Sequence, residues 1–133
     1  MNVLLDTHVL LWWQAGGRRL SVAARAAIDN AESLFVSPLS FWEVATLRRL
    51  GRISLDRGMG VWVQDLLAQP RIATAVLTPE AAAWAGDLDG AFPGDQFDRL
   101  LYATGRDLRV PIVSKDERLR AYAAQSKEVP FVW

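Results

Sequence analysis

Apolar residues are concentrated in five short runs, at positions 3–5, 34–36, 72–77, 110–113 and 129–133. Runs of this length are typical of buried strands, and longer segments that favour helices separate them. Short apolar strands that alternate with helices predict an α/β fold, because parallel neighbours need a crossover connection between them. We therefore expect a three-layer sandwich in which helices cover both faces of a central parallel sheet of four to five short strands. The length of 133 residues predicts a single domain over residues 1–133.

Capping residues predict where the helices begin and end. Asp6, Ser21 and Asp95 are polar residues that stand directly before segments with helical character, and Pro79 suits a first helical turn. Gly51 follows the third of these segments and predicts its end. The predicted helices occupy residues 7–13, 21–31, 38–50, 57–68, a segment from 78 that precedes a loop at 90–94, residues 95–108, and a short segment after 116.

Composition narrows the possible chemistry. The chain contains no cysteine and a single histidine, His8, which excludes disulfides, a cysteine nucleophile and a multi-histidine zinc site. Fifteen basic residues balance fifteen acidic ones, and thirteen of the bases are arginine, the side chain best suited to phosphate. A GC-rich genome would explain the arginines equally well. The apolar run that begins at Met1 stops at Asp6, so we expect a cytoplasmic protein that does not enter a membrane.

Two acids directly follow predicted strands. Asp6 comes immediately after the first strand, and Asp116 follows the fourth strand by three residues. In open parallel sheets, ligands bind beyond the carboxyl ends of the strands, so both acids stand where a site is expected. Each of them is also a good helix N-cap, and capping alone would explain either residue.

Two further acids lie on predicted helices. Glu43 is expected to point inward, because its helical neighbours Leu39, Leu47 and Leu50 are apolar, and a buried carboxylate requires a partner. That partner is either a metal ion or an arginine of the same helix. Asp98 stands in the first turn of its helix, where a capping box with Asp95 is the structural alternative.

Carboxylates suit a particular class of metal ion. Hard cations such as Mg²⁺ and Mn²⁺ prefer oxygen ligands, and three or four carboxylates with water would hold them. Such ions acidify water and stabilise in-line displacement at phosphorus. With four acids committed to metal, eleven would remain against fifteen basic residues, which is compatible with a surface that binds RNA.

Five segments of the chain resemble, in order, the motifs of PIN-domain ribonucleases, and in particular the VapC-type toxins of type II toxin–antitoxin systems. Four of the segments each contain one of the acids, and the third departs from the usual Asp-Pro-Phe-Asp-Arg by carrying Gln96 in place of proline. The segments are Leu4-Leu5-Asp6-Thr7-His8-Val9-Leu10-Leu11-Trp12, Ser37-Pro38-Leu39-Ser40-Phe41-Trp42-Glu43-Val44, Asp95-Gln96-Phe97-Asp98-Arg99-Leu100-Leu101-Tyr102-Ala103, Val113-Ser114-Lys115-Asp116 and Val129-Pro130-Phe131-Val132-Trp133.

The resemblance implies a PIN-like fold and an endoribonuclease that depends on Mg²⁺ or Mn²⁺. Asp6, Glu43, Asp98 and Asp116 are implied as its catalytic, metal-binding acids, the last directly or through water. The implied partners are an RNA substrate, a cognate antitoxin and a second copy of the chain in a homodimer. A PIN-fold RNA-processing nuclease that is not a toxin, and an inactive protein-interaction domain, remain as alternatives.

Several neighbouring side chains have two interpretations. Thr7, Ser40 and Ser114 either position water and carboxylates or simply cap helices, and Arg99 either contacts a carboxylate or phosphate or has no role in the site. His8 is expected to be structural.

Trp12 and Trp13 are adjacent and cannot both face inward, so at least one is a candidate for a protein contact or for base stacking.

Two other classes of α/β protein also place acids at strand ends, and neither fits as well. A receiver domain would carry paired acids after its first strand and an aspartate after its middle strand, where Asp6-Thr7 and Ser37-Pro38 stand here. A haloacid-dehalogenase-like phosphatase would carry a second aspartate at the position of His8.

Overall fold

The sheet is parallel throughout and has five strands. The computed structural model describes residues 1–133. The strands are β1 (Val3–Leu5), β2 (Leu34–Val36), β3 (Ile72–Thr74), β4 (Ile112–Val113) and β5 (Phe131–Val132). They lie in the order β3-β2-β1-β4-β5, and every neighbouring pair is parallel. The predicted parallel α/β sheet is confirmed.

The chain changes direction across the sheet at β1. After β1 it adds β2 and β3 on one side, and it then returns to add β4 and β5 on the other side. Leu5 is in register with Val36 of β2 and with Val113 of β4, so these three strands end at the same level. The point between β1 and β4 is therefore the topological switch point, where open parallel sheets bind their ligands.

Seven helices connect or follow the strands. The caps predicted at Asp6, Ser21 and Asp95 each accept a hydrogen bond from the first turn of their helix. The longest helix has 13 residues, and none is long and apolar enough to cross a membrane. The helices are α1 (Thr7–Gln14), α2 (Val22–Asn30), α3 (Pro38–Arg49), α4 (Met59–Leu67), α5 (Pro79–Asp87), α6 (Gln96–Leu108) and α7 (Glu117–Ser126).

The alternating side chains of β1 separate two hydrophobic cores. Val3 and Leu5 belong to one core, which includes apolar residues of α1, α2, α3 and α4. Leu4 belongs to the other, which includes apolar residues of α6 and α7. Since successive side chains of a strand point to opposite faces, helices cover both faces of the sheet. The predicted three-layer arrangement is thus present.

Three strands are shorter than their apolar runs predicted. The strand predicted at 72–77 ends at Thr74, and Val76 beyond it is 63% exposed. The strand predicted at 110–113 begins only at Ile112, because the Val110 amide donates to the Gly105 carbonyl and belongs to the turn that ends α6. The last run contributes only Phe131 and Val132. Hydrophobic content located these strands but did not fix their length.

Candidate functional site

Asp6 occupies the switch point between β1 and β4. It is the N-cap of α1, and only 6% of the residue is exposed. One carboxylate oxygen, Oδ1, accepts a hydrogen bond from the Thr7 amide at 2.8 Å, and the other, Oδ2, accepts one from the Ser114 hydroxyl at 2.7 Å. These donors compensate part of the cost of burying a charge and fix the direction of both oxygens.

Ser114 joins Asp6 to the segment that carries Asp116. Its hydroxyl oxygen accepts a hydrogen bond from the Asp116 amide at 3.2 Å while it donates to Asp6. The Asp116 carboxylate caps α7, since its Oδ1 accepts from the amides of Arg118 and Leu119 at 3.0 and 3.1 Å. The capping interpretation of Asp116 is therefore correct, and the same residue is held next to Asp6 through one serine.

His8 links the same two strand ends a second time. Its Nε2 accepts a hydrogen bond from the Lys115 amide at 3.0 Å, and its Nδ1 lies 3.6 Å from Asp6 Oδ2. Burial lowers the pKa of His8, against the opposing effect of the nearby Asp6 and Asp116 charges. A neutral imidazole agrees with an Nε2 that accepts, and the structural role predicted for His8 is compatible with this geometry.

Glu43 lies at the edge of the buried face of α3. The buried residues of this helix are Ser40 and Val44, whereas Leu50 is 53% exposed and Glu43 is half-buried. The predicted stripe through Leu50 is therefore wrong, because α3 turns its Ser40–Val44 side to the core. Burial nevertheless raises the pKa of Glu43, opposed by the nearby Thr7 hydroxyl and reinforced by the charges of Asp6 and Asp95. The Thr7 hydroxyl donates its hydrogen bond to Ser40 Oγ at 2.9 Å.

Asp98 has a capping role and a strongly perturbed carboxyl group. The Asp98 amide donates to Asp95 Oδ1 at 2.9 Å, and the Asp95 amide donates to Asp98 Oδ2 at 3.2 Å, which completes a capping box. Burial raises the pKa of Asp98 to about 7, with smaller contributions from the neighbouring Asp95 and Asp6. A carboxyl group with this pKa carries a proton about half of the time at neutral pH.

The charge of Asp6 acts on several of the neighbouring titratable groups. The charge of Asp6 raises the pKa of both Glu43 and Asp98, and Asp116 and Asp6 both act on His8. No three of the chain's histidine, aspartate and glutamate side chains already converge as a set that could hold a metal ion. Both oxygens of Asp6 already accept hydrogen bonds from the protein, so a shared cation would require the other carboxylates to move toward Asp6.

The raised pKa of Asp98 predicts a pH-dependent stability. Its folded-state value of about 7 lies above the ordinary value of 3.8, so the folded protein takes up this proton first. As the pH falls from about 8 to 5 in EDTA, the melting temperature of the wild-type protein should rise relative to that of Asp98→Asn. Asp29→Asn, which alters an exposed acid on α2, should keep the wild-type response. Equal pH dependence in Asp98→Asn and wild type would contradict the assigned pKa.

Arg99 donates to backbone carbonyls and forms no ion pair with a carboxylate. Its guanidinium donates to the carbonyls of Ala85, Leu88 and Asp89, at distances of 3.2, 2.7 and 3.0 Å. These carbonyls belong to the end of α5 and the loop that follows, where helical carbonyls have no partner in their own helix. Arg99 thus fixes the segment that leads to Asp98, and the contact with a site carboxylate considered from the sequence is absent.

Two features of the site were not predicted from the sequence. The bond from Lys115 to His8 joins residues 107 positions apart, and no local pattern encodes it. The second feature is Gly94, where a Cβ would lie 2.4 Å from Asp98 Cβ and 2.7 Å from Asp98 Oδ2. A glycine directly before a capping box was the available signal, but it was assigned only to a loop.

Comparisons with known proteins agree with this architecture. Residues 3–125 match the PIN domain. The chain is 44% identical over 121 residues to ribonuclease VapC22 of Mycobacterium tuberculosis, across 91% of this chain and 92% of that protein. This identity over nearly the whole length is sufficient to establish common descent.

Solved structures with low sequence identity share the fold. VapBC2 from Rickettsia felis, bound to a DNA fragment from its promoter, has a TM-score of 0.63 at 11% identity, covering 98% of this chain and 97% of that one. FitAcB from Neisseria gonorrhoeae has a TM-score of 0.56 at 20% identity, with 97% and 95% covered. The match of residues 3–125 to the PIN domain and the 44% identity to ribonuclease VapC22 lead to one assignment: the chain belongs to the PIN-domain family.

Proposed function

We propose that this protein is an endoribonuclease that depends on Mg²⁺ or Mn²⁺ and acts as the toxin of a toxin–antitoxin pair. The observation that carries the proposal is the position of Asp6, which is buried at the switch point and lies close enough to Glu43 and Asp98 to raise their pKa values. The 44% identity to ribonuclease VapC22 supports RNA as the substrate. The VapBC2 and FitAcB neighbours support an antitoxin partner, and a homodimer is proposed with it.

The residues present fit a hard divalent cation. All four candidate ligands are carboxylates, the oxygen donors that hard cations prefer. Burial raises the pKa of Glu43 and Asp98, and the neighbouring negative charges raise it further. Asp6, Glu43 and Asp98 would hold the ion, with Asp116 as a fourth ligand, direct or through water. When bound, the ion supplies Lewis acidity to the attacking water and to the phosphodiester.

The protein's own groups orient the site. Thr7 and Ser114 hold the two oxygens of Asp6 in fixed directions, so the most buried ligand cannot rotate freely. Ser114 and His8 fix the segment that carries Asp116 relative to Asp6. Asp98 holds a proton near neutral pH and must release it when positive charge enters, which couples cation binding to pH.

The proposal is tested by cleavage of RNA with the purified protein. We expect cleavage in Mg²⁺ or Mn²⁺, a fall to background in excess EDTA, and recovery when the metal is restored, because the chain has no cysteine and only one histidine to replace a metal-activated water. Undiminished cleavage in EDTA would refute the metal-dependent mechanism. Absence of cleavage with either metal would favour the inactive interaction domain.

The toxin role is tested separately from the chemistry. Expression of an active toxin should arrest growth, and co-expression of the protein encoded directly upstream should relieve the arrest. Cleavage without growth arrest would favour an RNA-processing nuclease on the same fold.

A further inference from the structure

We propose that Trp12, with Arg19 and Lys115 beside it, forms a subsite for a single-stranded RNA segment that extends from the carboxylates. The inference rests on the proposed ribonuclease activity and names the surface by which the substrate is held. It concerns residues outside the four acids, and it commits to RNA instead of a protein partner.

Trp12 and Trp13 are both partly buried and both line the larger hollow, but their contacts differ. Trp13 packs against the core that includes α1 and α4, whereas Trp12 contacts His8 and Trp133, with ring centroids 4.9 and 5.9 Å away. The Arg19 guanidinium carbon lies 4.3 Å from the centre of the Trp12 ring. A guanidinium stacked on an indole leaves its outer face and its N–H edges free for a base and a phosphate.

Trp12 lines two surface hollows. The smaller, about 510 Å³, is lined by Trp12, Lys115, Asp116 and Arg118 among others. The larger, about 880 Å³, is lined by Trp12, Arg19 and residues of the segment before α4. Trp12 is the one residue that lines both hollows, and Asp116 lines the smaller of them. An RNA strand whose scissile phosphate lies at the carboxylates of the site would then pass over the Trp12 indole.

Arg19 and Lys115 are the cations of the two hollows that are free to contact phosphate. Arg118 donates a hydrogen bond to the Pro93 carbonyl. The ion pairs of the chain involve only Arg57 with Asp56 and Asp65, and His8 with Asp6. Arg19 and Lys115 are exposed, and the Lys115 Nζ lies 5.7 Å from the centre of the Trp12 ring. A planar ring between separated cations matches the alternation of bases and phosphates in a single strand. The larger hollow also has an apolar lining that includes Leu11, Trp13 and Trp62, so the experiment must separate RNA from a protein partner.

The experiment measures RNA binding without cleavage. In an Asp6→Asn background and in EDTA, the affinity for a fluorescein-labelled oligonucleotide of about 12 unpaired residues is followed by anisotropy at several salt concentrations. The added substitutions are Arg19→Gln, Lys115→Gln and Trp12→Leu. Arg18→Gln is the matched control, since Arg18 is an exposed neighbour of Arg19 that does not line either hollow.

Each kind of substitution has its own expected signature. Arg19→Gln and Lys115→Gln should each weaken binding about threefold to tenfold and lower the salt slope of log Kd by about 0.7, the value for one phosphate contact on a single strand. Trp12→Leu should weaken binding about tenfold with an unchanged salt slope, because stacking releases no counterions. Arg18→Gln should match the background protein in both measurements.

The exposed cations decide the outcome, because replacing them does not disturb the core. If Arg19→Gln and Lys115→Gln equal Arg18→Gln in affinity and salt slope, the subsite is wrong, even when the wild-type protein cleaves RNA. The proposal is also overturned if these substitutions leave the RNA affinity unchanged but abolish binding of a co-expressed protein partner. That result would identify the surface as a docking site for a protein. If binding changes as expected but the wild-type protein cleaves no RNA, the subsite stands and the proposed function fails.

Discussion

Asp6→Asn and Glu43→Gln are each expected to slow RNA cleavage by about 10²- to 10³-fold. Both substitutions keep the shape of the side chain and remove one negative charge from the proposed cation site. Asp6 is fixed by the Thr7 amide and the Ser114 hydroxyl, so an asparagine there stays in place but binds a cation more weakly. Cleavage rates at saturating Mg²⁺ measure the effect. Glu32→Gln, an exposed acid, is the matched control and should cleave as the wild type does.

Melting curves separate a metal ligand from a purely structural acid. In EDTA, Glu43→Gln should melt about 3 °C higher than wild type, because burial of an ionised Glu43 is unfavourable and glutamine avoids it. Asp6→Asn should show no such gain, since the carboxylate is already well hydrogen-bonded. Both variants should gain less than wild type when Mg²⁺ is added. A lower melting point for Glu43→Gln with a full Mg²⁺ response would identify Glu43 as a structural acid.

Gly94→Ala is expected to destabilise the protein by about 2–3 kcal/mol and to slow cleavage by about 10²-fold. The added Cβ would lie 2.4 Å from Asp98 Cβ, an atom next to the backbone that cannot rotate away. Either the loop or the first turn of α6 must move, and the Asp98 carboxylate moves with it. Urea unfolding and cleavage rates report the two effects.

Gly90→Ala is the matched control for this substitution. Gly90 lies in the same loop, and no atom lies within 4 Å of a Cβ built there. It should leave both stability and cleavage close to wild type. Wild-type cleavage by Gly94→Ala would mean that the position of Asp98 is not critical for the reaction.

The sequence predicted the strands and caps well because their signals are local. A buried strand requires an apolar run, and a helix N-terminus requires an acceptor such as Asp6, Ser21 or Asp95. The position of Asp6 and Asp116 followed from the same local signals together with the rule for parallel sheets. Their membership of one site remains a proposal that the substitutions above test.

Features that depend on contacts between residues far apart in the sequence could not be predicted from local signals. The length of a strand depends on whether the neighbouring segment is also extended. The apolar runs at 72–77 and 110–113 therefore predicted strands that are longer than those observed. The partners of Arg99 are carbonyls up to 14 positions away, brought near by the packing of α5 against α6. The face of α3 that is buried likewise follows from how the helix lies on the sheet.

The strand order also determines when the site can form during synthesis. The first 74 residues supply β1, β2 and β3, which are consecutive neighbours and can pair as soon as they emerge from the ribosome. Ser114, the partner of Asp6 across 108 positions, arrives with β4 on the opposite side of β1. Asp98 and Asp116 also emerge late. A nascent chain without β4 therefore lacks the hydrogen-bond partner of Asp6, and any nuclease activity begins only after Ser114 and Asp116 have emerged.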